Sequence, residues 1–326
     1  MFVLDSHCDT PSQILRHRDL SLDNANAHVD FPKLRRGKVD GAFFALYVPA
    51  SLDSDPDRAY SHAMELYQGV EMTVRSNSST VAWATDSRDA YDNKSKGLFS
   101  IFLGLENASP IDSIDKLKYF YDKGVRYITL CHSLNNHVCD SCAPDTKRWG
   151  GLSPFGKELV AEMNRLGILV DVSHVSDDTF YDVLEVSQKP VVATHSCCRA
   201  LADHPRNMTD DMIRSLAAAG GVIQINFYPC FLDSEFASIF DDSGVEYKGD
   251  RPSYKLIADH IDHVAELVGV DHVGIGSDYD GIEVAPDGME DISMMPKLFD
   301  ELRGRGYTDR DLEKIAGGNF FRVLGQ

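Results

Sequence analysis

The chain has 326 residues, 43% of them hydrophobic, enough for one large core or two ordinary ones. Its 32 basic and 51 acidic residues leave a formal charge of −19. That balance argues against nucleic acid and anionic membrane as partners, since both require a basic footprint. The seven cysteines (Cys8, Cys131, Cys139, Cys142, Cys197, Cys198 and Cys230) are odd in number and irregular in spacing. No disulfide framework is expected, and a reducing compartment, the cytoplasm, is the default. Cys139-x-x-Cys142 has no second pair and reads as loop sequence. No run approaches the ~18 apolar residues of a membrane span. No basic segment precedes the first strand and no anchor tail follows Val323-Leu324-Gly325-Gln326. A soluble protein is expected, periplasmic or secreted only if a leader is removed.

In chain order, short apolar runs predict strands at Phe2–Leu4, Ala42–Val48, Leu98–Leu103, Val125–Leu130, Ile168–Val172, Val191–Ala193, Val222–Ile225 and Val273–Ile275. They are continuous rather than alternating, as parallel strands covered on both faces should be. Amphipathic segments between them predict helices over Pro110–Lys123, Phe155–Leu166, Asp177–Ser187, Thr209–Ala219, Ser253–Val268, Ile292–Arg303 and Asp309–Ala316. Eight strands alternating with helices predict an α/β fold, a (β/α)8 TIM barrel in a single domain spanning 1–326. No Gly-x-Gly-x-x-Gly follows the first strand, which removes the dinucleotide-binding signal. Gly274-x-Gly276 in the last strand reads as a close-packing device. The polar segments Pro49–Arg58, Asn135–Ser153 and Tyr228–Pro252 are expected as loops on the functional rim.

Barrel chemistry sits where residues following each strand converge. The first strand delivers His7 and Asp9, two residues apart and so on one face. Glu106, His132, His174, His195 and Asp278 follow the third, fourth, fifth, sixth and eighth strands. Singly, each could be a cap or a structural hydrogen-bonding group. Together, four histidines and three acids at corresponding positions predict a divalent metal site. Two metals fit the ligand count: His7, Asp9, His174 and His195 supply four side chains, and Glu106 can bridge. Metals about 3.5–4 Å apart can polarise a carbonyl and lower the pKa of a shared water. Asp278 would then be the base and His132 the oxyanion stabiliser. Of the other eight histidines, His260 and His263 read as members of a solvated helix face. His17, His28, His62 and His272 have no metal-like neighbours. His137 and His204 lie in expected rim loops, as minor substrate contacts.

Several stretches carry a resemblance. They are Asp5-Ser6-His7-Cys8-Asp9-Thr10-Pro11, Gly104-Leu105-Glu106, Arg126–His132, Asp171–Ser176 and Pro190–Ser196. Pro205-Arg206-Asn207-Met208, Gly274–Gly281 and Gly317–Val323 complete the set. The chain resembles the membrane dipeptidase (renal dipeptidase) family of metallopeptidases, within the amidohydrolase-like barrel enzymes. The resemblance implies a binuclear zinc dipeptidase with two Zn2+ per subunit, acting through a metal-bridging hydroxide. His7, Asp9 and Glu106 would hold one zinc; Glu106, His174 and His195 the other. It implies that His132 contacts the substrate, Arg206 pairs with its terminal carboxylate, and Asp278 lies near the bridging water and the amine. A homodimer, and tolerance of a C-terminal D-residue, are implied likewise. The chain departs from the mammalian members in the loop Ser133–Asp145, which leaves side-chain preference open, and it lacks their lipid-anchor tail. Deacylation of N-acyl-amino acids and opening of a lactam or lactone remain alternatives on the same site, as does a non-catalytic barrel. Serine or cysteine nucleophile chemistry is weakest: there is no Gly-x-Ser-x-Gly elbow, and Cys8 is expected to face away from the ligands.

Overall fold

Among the described residues, nine parallel strands make one sheet, and eight of them close into a barrel in chain order. The computed structural model describes residues 1–240 and 247–325. The strands are β1 (Leu4–Cys8), β2 (Gly41–Tyr47), β3 (Val81–Trp83), β4 (Phe99–Glu106), β5 (Val125–Thr129), β6 (Leu169–Asp171), β7 (Val192–Ser196), β8 (Val222–Ile225) and β9 (Val273–Ile275). β3 pairs only with the first residues of β4 and lies outside the ring. The ring closes where Asp278 N donates to His7 O (3.0 Å) and Asp9 N donates to Tyr279 O (2.8 Å). The architecture is a (β/α)8 barrel.

The barrel interior takes one apolar residue from most strands: Leu4, Phe43, Phe102, Tyr127, Leu169, Val192 and Val222. Phe320, from the C-terminal helix Asn319–Leu324, closes the lower end against Phe43 at 5.1 Å between ring centroids. β9 contributes Gly274, where a Cβ would come within 2.2 Å of Gln224 Oε1, and Gly276 directly follows the strand, where a Cβ would come within 1.9 Å of Thr194 O. Both glycines therefore serve close packing, as their sequence predicts. Cys8 faces the outer layer of core, its thiol 3.5 Å from Phe43 O, away from the rim site.

All eight expected strands occur, several shifted toward their C-terminal ends. His7 therefore lies within β1, Glu106 is the last residue of β4, and His195 lies within β7. The helix starts expected near Phe155, Asp177 and Thr209 hold for a simple reason: Ser153, Ser176 and Thr209 each accept from the N–H three residues on, satisfying a donor the helix cannot, whereas the helix expected from Pro110 begins at Ile114. The expected loop Pro49–Arg58 is cut short by a 21-residue helix, Pro56–Ser76, capped by Asp55. That helix buries Ala59, Ala63, Leu66, Val70 and Val74, a stripe at helical spacing. His260 departs from its expected solvated face. It is buried, with Nδ1 accepting from Cys198 N (3.0 Å) and Nε2 facing Leu232 O (3.3 Å). Within the expected loop Tyr228–Pro252 lie the short helices Pro229–Leu232 and Ser234–Ile239; residues 241–246 lie outside the described residues. All seven cysteines are free. Among the described residues no helix is long and apolar enough to cross a membrane.

Candidate metal centre

Glu106 lies between two groups of side chains at the C-terminal end of the barrel. Its Oε2 is 3.4 Å from His7 Nε2, which lies 3.5 Å from Asp9 Oδ2. Its Oε1 is 3.1 Å from His174 Nε2 and 3.6 Å from His195 Nε2. The two imidazole nitrogens of His174 and His195 are 2.9 Å apart. Among the described residues, ligand atoms converge within 4.8 Å in three overlapping sets: His7, Glu106 and His195; Glu106, His132 and His174; His7, Asp9 and Asp278. His7 Nε2 and Asp9 Oδ1 are buried without a hydrogen-bond partner, which a folded protein tolerates only where something else satisfies them. Imidazole nitrogens and carboxylate oxygens meeting at unsatisfied atoms fit divalent cations.

The local backbone and the layer beneath aim these groups. His174 and Asp278 adopt left-handed φ of 69° and 63°, a sparsely populated region for residues with a Cβ. His195 Nδ1 is 2.8 Å from Thr194 Oγ1, which donates its only proton to Asp171 Oδ2 at 2.7 Å. Thr194 must therefore accept from His195 Nδ1–H, leaving Nε2 with a lone pair toward Glu106 and His174. His7 Nδ1 meets the phenol of buried Tyr127 at 2.7 Å. That ring fits only because residue 104 is glycine: a Cβ there would come within 2.1 Å of Tyr127 Cζ. Gly281 is constrained likewise, since its Cβ would come within 2.2 Å of Asp9 Oδ2 and 2.7 Å of Asp278 Oδ1.

Charge is concentrated here. Burial opposes a charged His7, yet the Glu106 and Asp9 carboxylates hold its pKa well above the ordinary value. Burial, followed for His195 by the charge on His7 and for His174 by that on Arg206, pushes the other two histidines well below it. Burial raises the carboxyl of Asp9 to about 6 and that of Asp278 to about 7. His132 is pushed down to about 3 by burial and by Arg206.

Asp9, Glu106, His132, His174 and Asp278 lie on the wall of one cavity of about 520 Å³, with Tyr47, Tyr228, Phe231 and Ile282 supplying apolar surface. Of the three expected rim loops, Tyr228–Pro252 contributes Tyr228 and Phe231 to this wall, and the described residues of the other two do not line it. Loop 135–153 is instead organised by Asp140, whose carboxylate accepts from Arg148 N, Trp149 N and Gly150 N. His132 packs against the edge of Tyr47 at 4.9 Å and against His174 at 4.4 Å. Arg206 is 8% exposed, donates from Nη2 to His195 O (3.0 Å) and lies 5.2 Å over the Phe231 ring, with its Nε unpartnered. His137 and His204 do not line the cavity; His204 Nδ1 accepts from Arg206 N (3.1 Å).

Three residues of the layer around this site escape the sequence reading: Tyr127, Thr194 and Asn226. Asn226 directly follows β8, at the same end of the barrel as the other site residues, and donates to Asp278 Oδ2 at 2.9 Å. Its place at a strand's C-terminal end is the signal that could have found it.

A family model described as membrane dipeptidase (peptidase family M19) matches residues 1–326. The chain belongs to the membrane dipeptidase family. A dipeptidase of Aspergillus oryzae, aclJ, is 36% identical over 310 residues, covering 93% of this chain and 71% of the relative. The crystal structure of a probable dipeptidase, PvdM, from Pseudomonas aeruginosa superposes with a TM-score of 0.87 at 27% identity, covering 100% of this chain and 95% of that one. A metallopeptidase from Rhodobacter sphaeroides, liganded with a phosphinate mimic of the dipeptide L-Ala-D-Ala, gives 0.87 at 27% identity, covering 100% and 99%. As a membrane dipeptidase family member the chain is a metallopeptidase, a hydrolase of peptide bonds in small peptides.

Proposed function

We propose that the chain is a binuclear zinc dipeptidase, and that the placement of Glu106 carries this reading. One Glu106 oxygen faces His7 and the other faces His174 and His195, so one carboxylate can serve two cations. His7, Asp9 and Glu106 would hold one zinc, and Glu106, His174 and His195 the other. When bound, such a pair supplies Lewis acidity toward the scissile carbonyl and lowers the pKa of the attacking water. Asp278, whose Oδ1 faces the centre 4.0 Å from His7 Nε2, would take the water's proton and deliver it to the departing amine. His132 stays neutral at working pH. Its Nδ1 meets Ser133 Oγ at 3.2 Å, and in the tautomer in which that hydroxyl donates, Nε2–H is a donor to the developing oxyanion. Arg206, already fixed by His195 O and Phe231, pairs with the substrate's terminal carboxylate.

A dipeptide zwitterion suits this arrangement: a guanidinium for one end and the carboxylates of Asp278 and Asp9 near the other. The phosphinate mimic held by the Rhodobacter sphaeroides relative supports including substrates with a C-terminal D-residue. The free thiols favour a cytoplasmic location, and we assign a homodimer on the family's habit.

The test is amino-acid release from L-Ala-L-Ala and L-Ala-D-Ala by zinc-loaded protein, beside N-acetyl-L-Ala-L-Ala. Cleavage of a free dipeptide with the acetylated control untouched is expected. Cleavage of the control alone would replace the proposal with a deacylase.

A further inference from the structure

We propose that Asn226 is a positioning residue, which aims the Asp278 carboxylate and couples it to the side of the site held by Arg206. The inference rests on the base role proposed above for Asp278. Asn226 is fully buried and follows β8 directly, between the neighbours β7 and β9. Its Nδ2 donates to Asp278 Oδ2 at 2.9 Å and points to His195 O at 3.4 Å. Its Oδ1 accepts from Tyr228 N at 2.6 Å. A backbone carbonyl can only accept and a backbone N–H can only donate, so these partners fix which end of the amide is which.

The consequence lies in the rotation of Asp278. Asn226 pins Oδ2, which leaves Oδ1 turned toward the centre, 4.0 Å from His7 Nε2. Without that pin the carboxylate could turn about its terminal torsion, which is broad for aspartate. The same His195 carbonyl accepts from Arg206 Nη2 at 3.0 Å. One oxygen thus joins the group proposed for the substrate's carboxylate to the group proposed for proton transfer. Tyr228, whose N–H the amide holds, lines the cavity, so the amide also sets part of its wall. No other side chain of this size offers two donors and an acceptor on one rigid plane.

A double-mutant cycle tests the assignment, reading L-Ala-L-Ala kinetics, zinc content and thermal midpoint for each protein. Asn226→Ala is expected to lower kcat about tenfold or more while KM moves less than about threefold and zinc is retained. In an Asp278→Asn background the same change should cost less than about twofold, because the group it aims is already disabled. Asn226→Asp, equal in shape but presenting an acceptor to Asp278, should lose at least as much turnover and serves if the alanine variant folds poorly. An undiminished kcat in both Asn226 variants, or an equal loss in both backgrounds, would overturn the positioning role and leave the dipeptidase reading standing. Full turnover by Asp278→Asn alone would instead remove the base role, and this inference with it.

Discussion

Deleting one oxygen, with Tyr127→Phe, tests how His7 is held. The phenol meets His7 Nδ1 at 2.7 Å, and both side chains are fully buried. The phenylalanine ring would keep its place over Gly104 and against Phe43, whose centroid is 5.2 Å away, so packing is preserved. What is lost is one buried hydrogen bond, leaving Nδ1 without its partner at about 1–3 kcal/mol. An imidazole released from such a partner typically weakens metal binding by about 10–100-fold. Zinc affinity measured against a chromophoric chelator should show one of two affinities falling in that range. The other should be nearly unchanged, because His195 is oriented by Thr194 rather than by Tyr127. Circular dichroism and core melting should stay close to the parent protein. Wild-type affinity at both sites, in a folded variant, would refute the orienting role of Tyr127.

Gly281→Ala should reduce zinc binding and turnover together, because its Cβ would come within 2.2 Å of Asp9 Oδ2; a fully active variant would show that this carboxylate is free to move. Arg206→Ala should lower kcat/KM for dipeptides by about tenfold or more through loss of a desolvated charge-assisted pair. Unchanged dipeptide kinetics would sink its carboxylate role. His260 bears on pH dependence. Burial lowers its pKa to about 4, and Nδ1 already accepts from Cys198 N–H, so a second ring proton has no acceptor. The unfolded chain takes up that proton near 6.5 and the folded one only near 4, so this contribution to stability is complete above 6.5 and lost as pH falls toward 4. The interval corresponds to at most about 3 kcal/mol. Denaturant titrations from pH 7 to 4 should show a shallower acid-side decline in His260→Asn, whose amide oxygen can replace Nδ1. Parallel curves for the two proteins would contradict the argument.

The barrel and its rim were legible in the sequence because parallel strands buried on both faces are continuous apolar runs, and because chemistry-bearing residues follow them. His7, Glu106, His174 and His195 could be gathered from spacing alone. Strand ends were less legible: the Phe2–Leu4 run is apolar, but the strand begins at Leu4 and continues through polar Asp5, Ser6 and His7. Those polar residues are buried because their partners come from distant parts of the barrel: Asp5 accepts from Ser277 N (2.8 Å) just past β9, Ser6 donates to Thr194 O (2.7 Å) in β7, and His7 meets Tyr127 in β5. Hydropathy carries no trace of such long-range partners. The helix Pro56–Ser76 was hidden by the small alanines on its buried face, and β3 by its three-residue length. The layer that orients the ligands was least visible. Tyr127 and Thr194 look like ordinary strand residues, and only the assembled barrel shows that each holds a histidine.

The most direct test of the two-cation account is a titration of chelator-stripped protein with zinc, following L-Ala-L-Ala hydrolysis and bound metal in the same samples. The account requires activity that stays near background until zinc is added and levels off at two equivalents per chain. His195→Ala should bind fewer equivalents and remain almost inactive. Full turnover without metal, or a plateau at one equivalent, would contradict a centre in which Glu106 serves two cations.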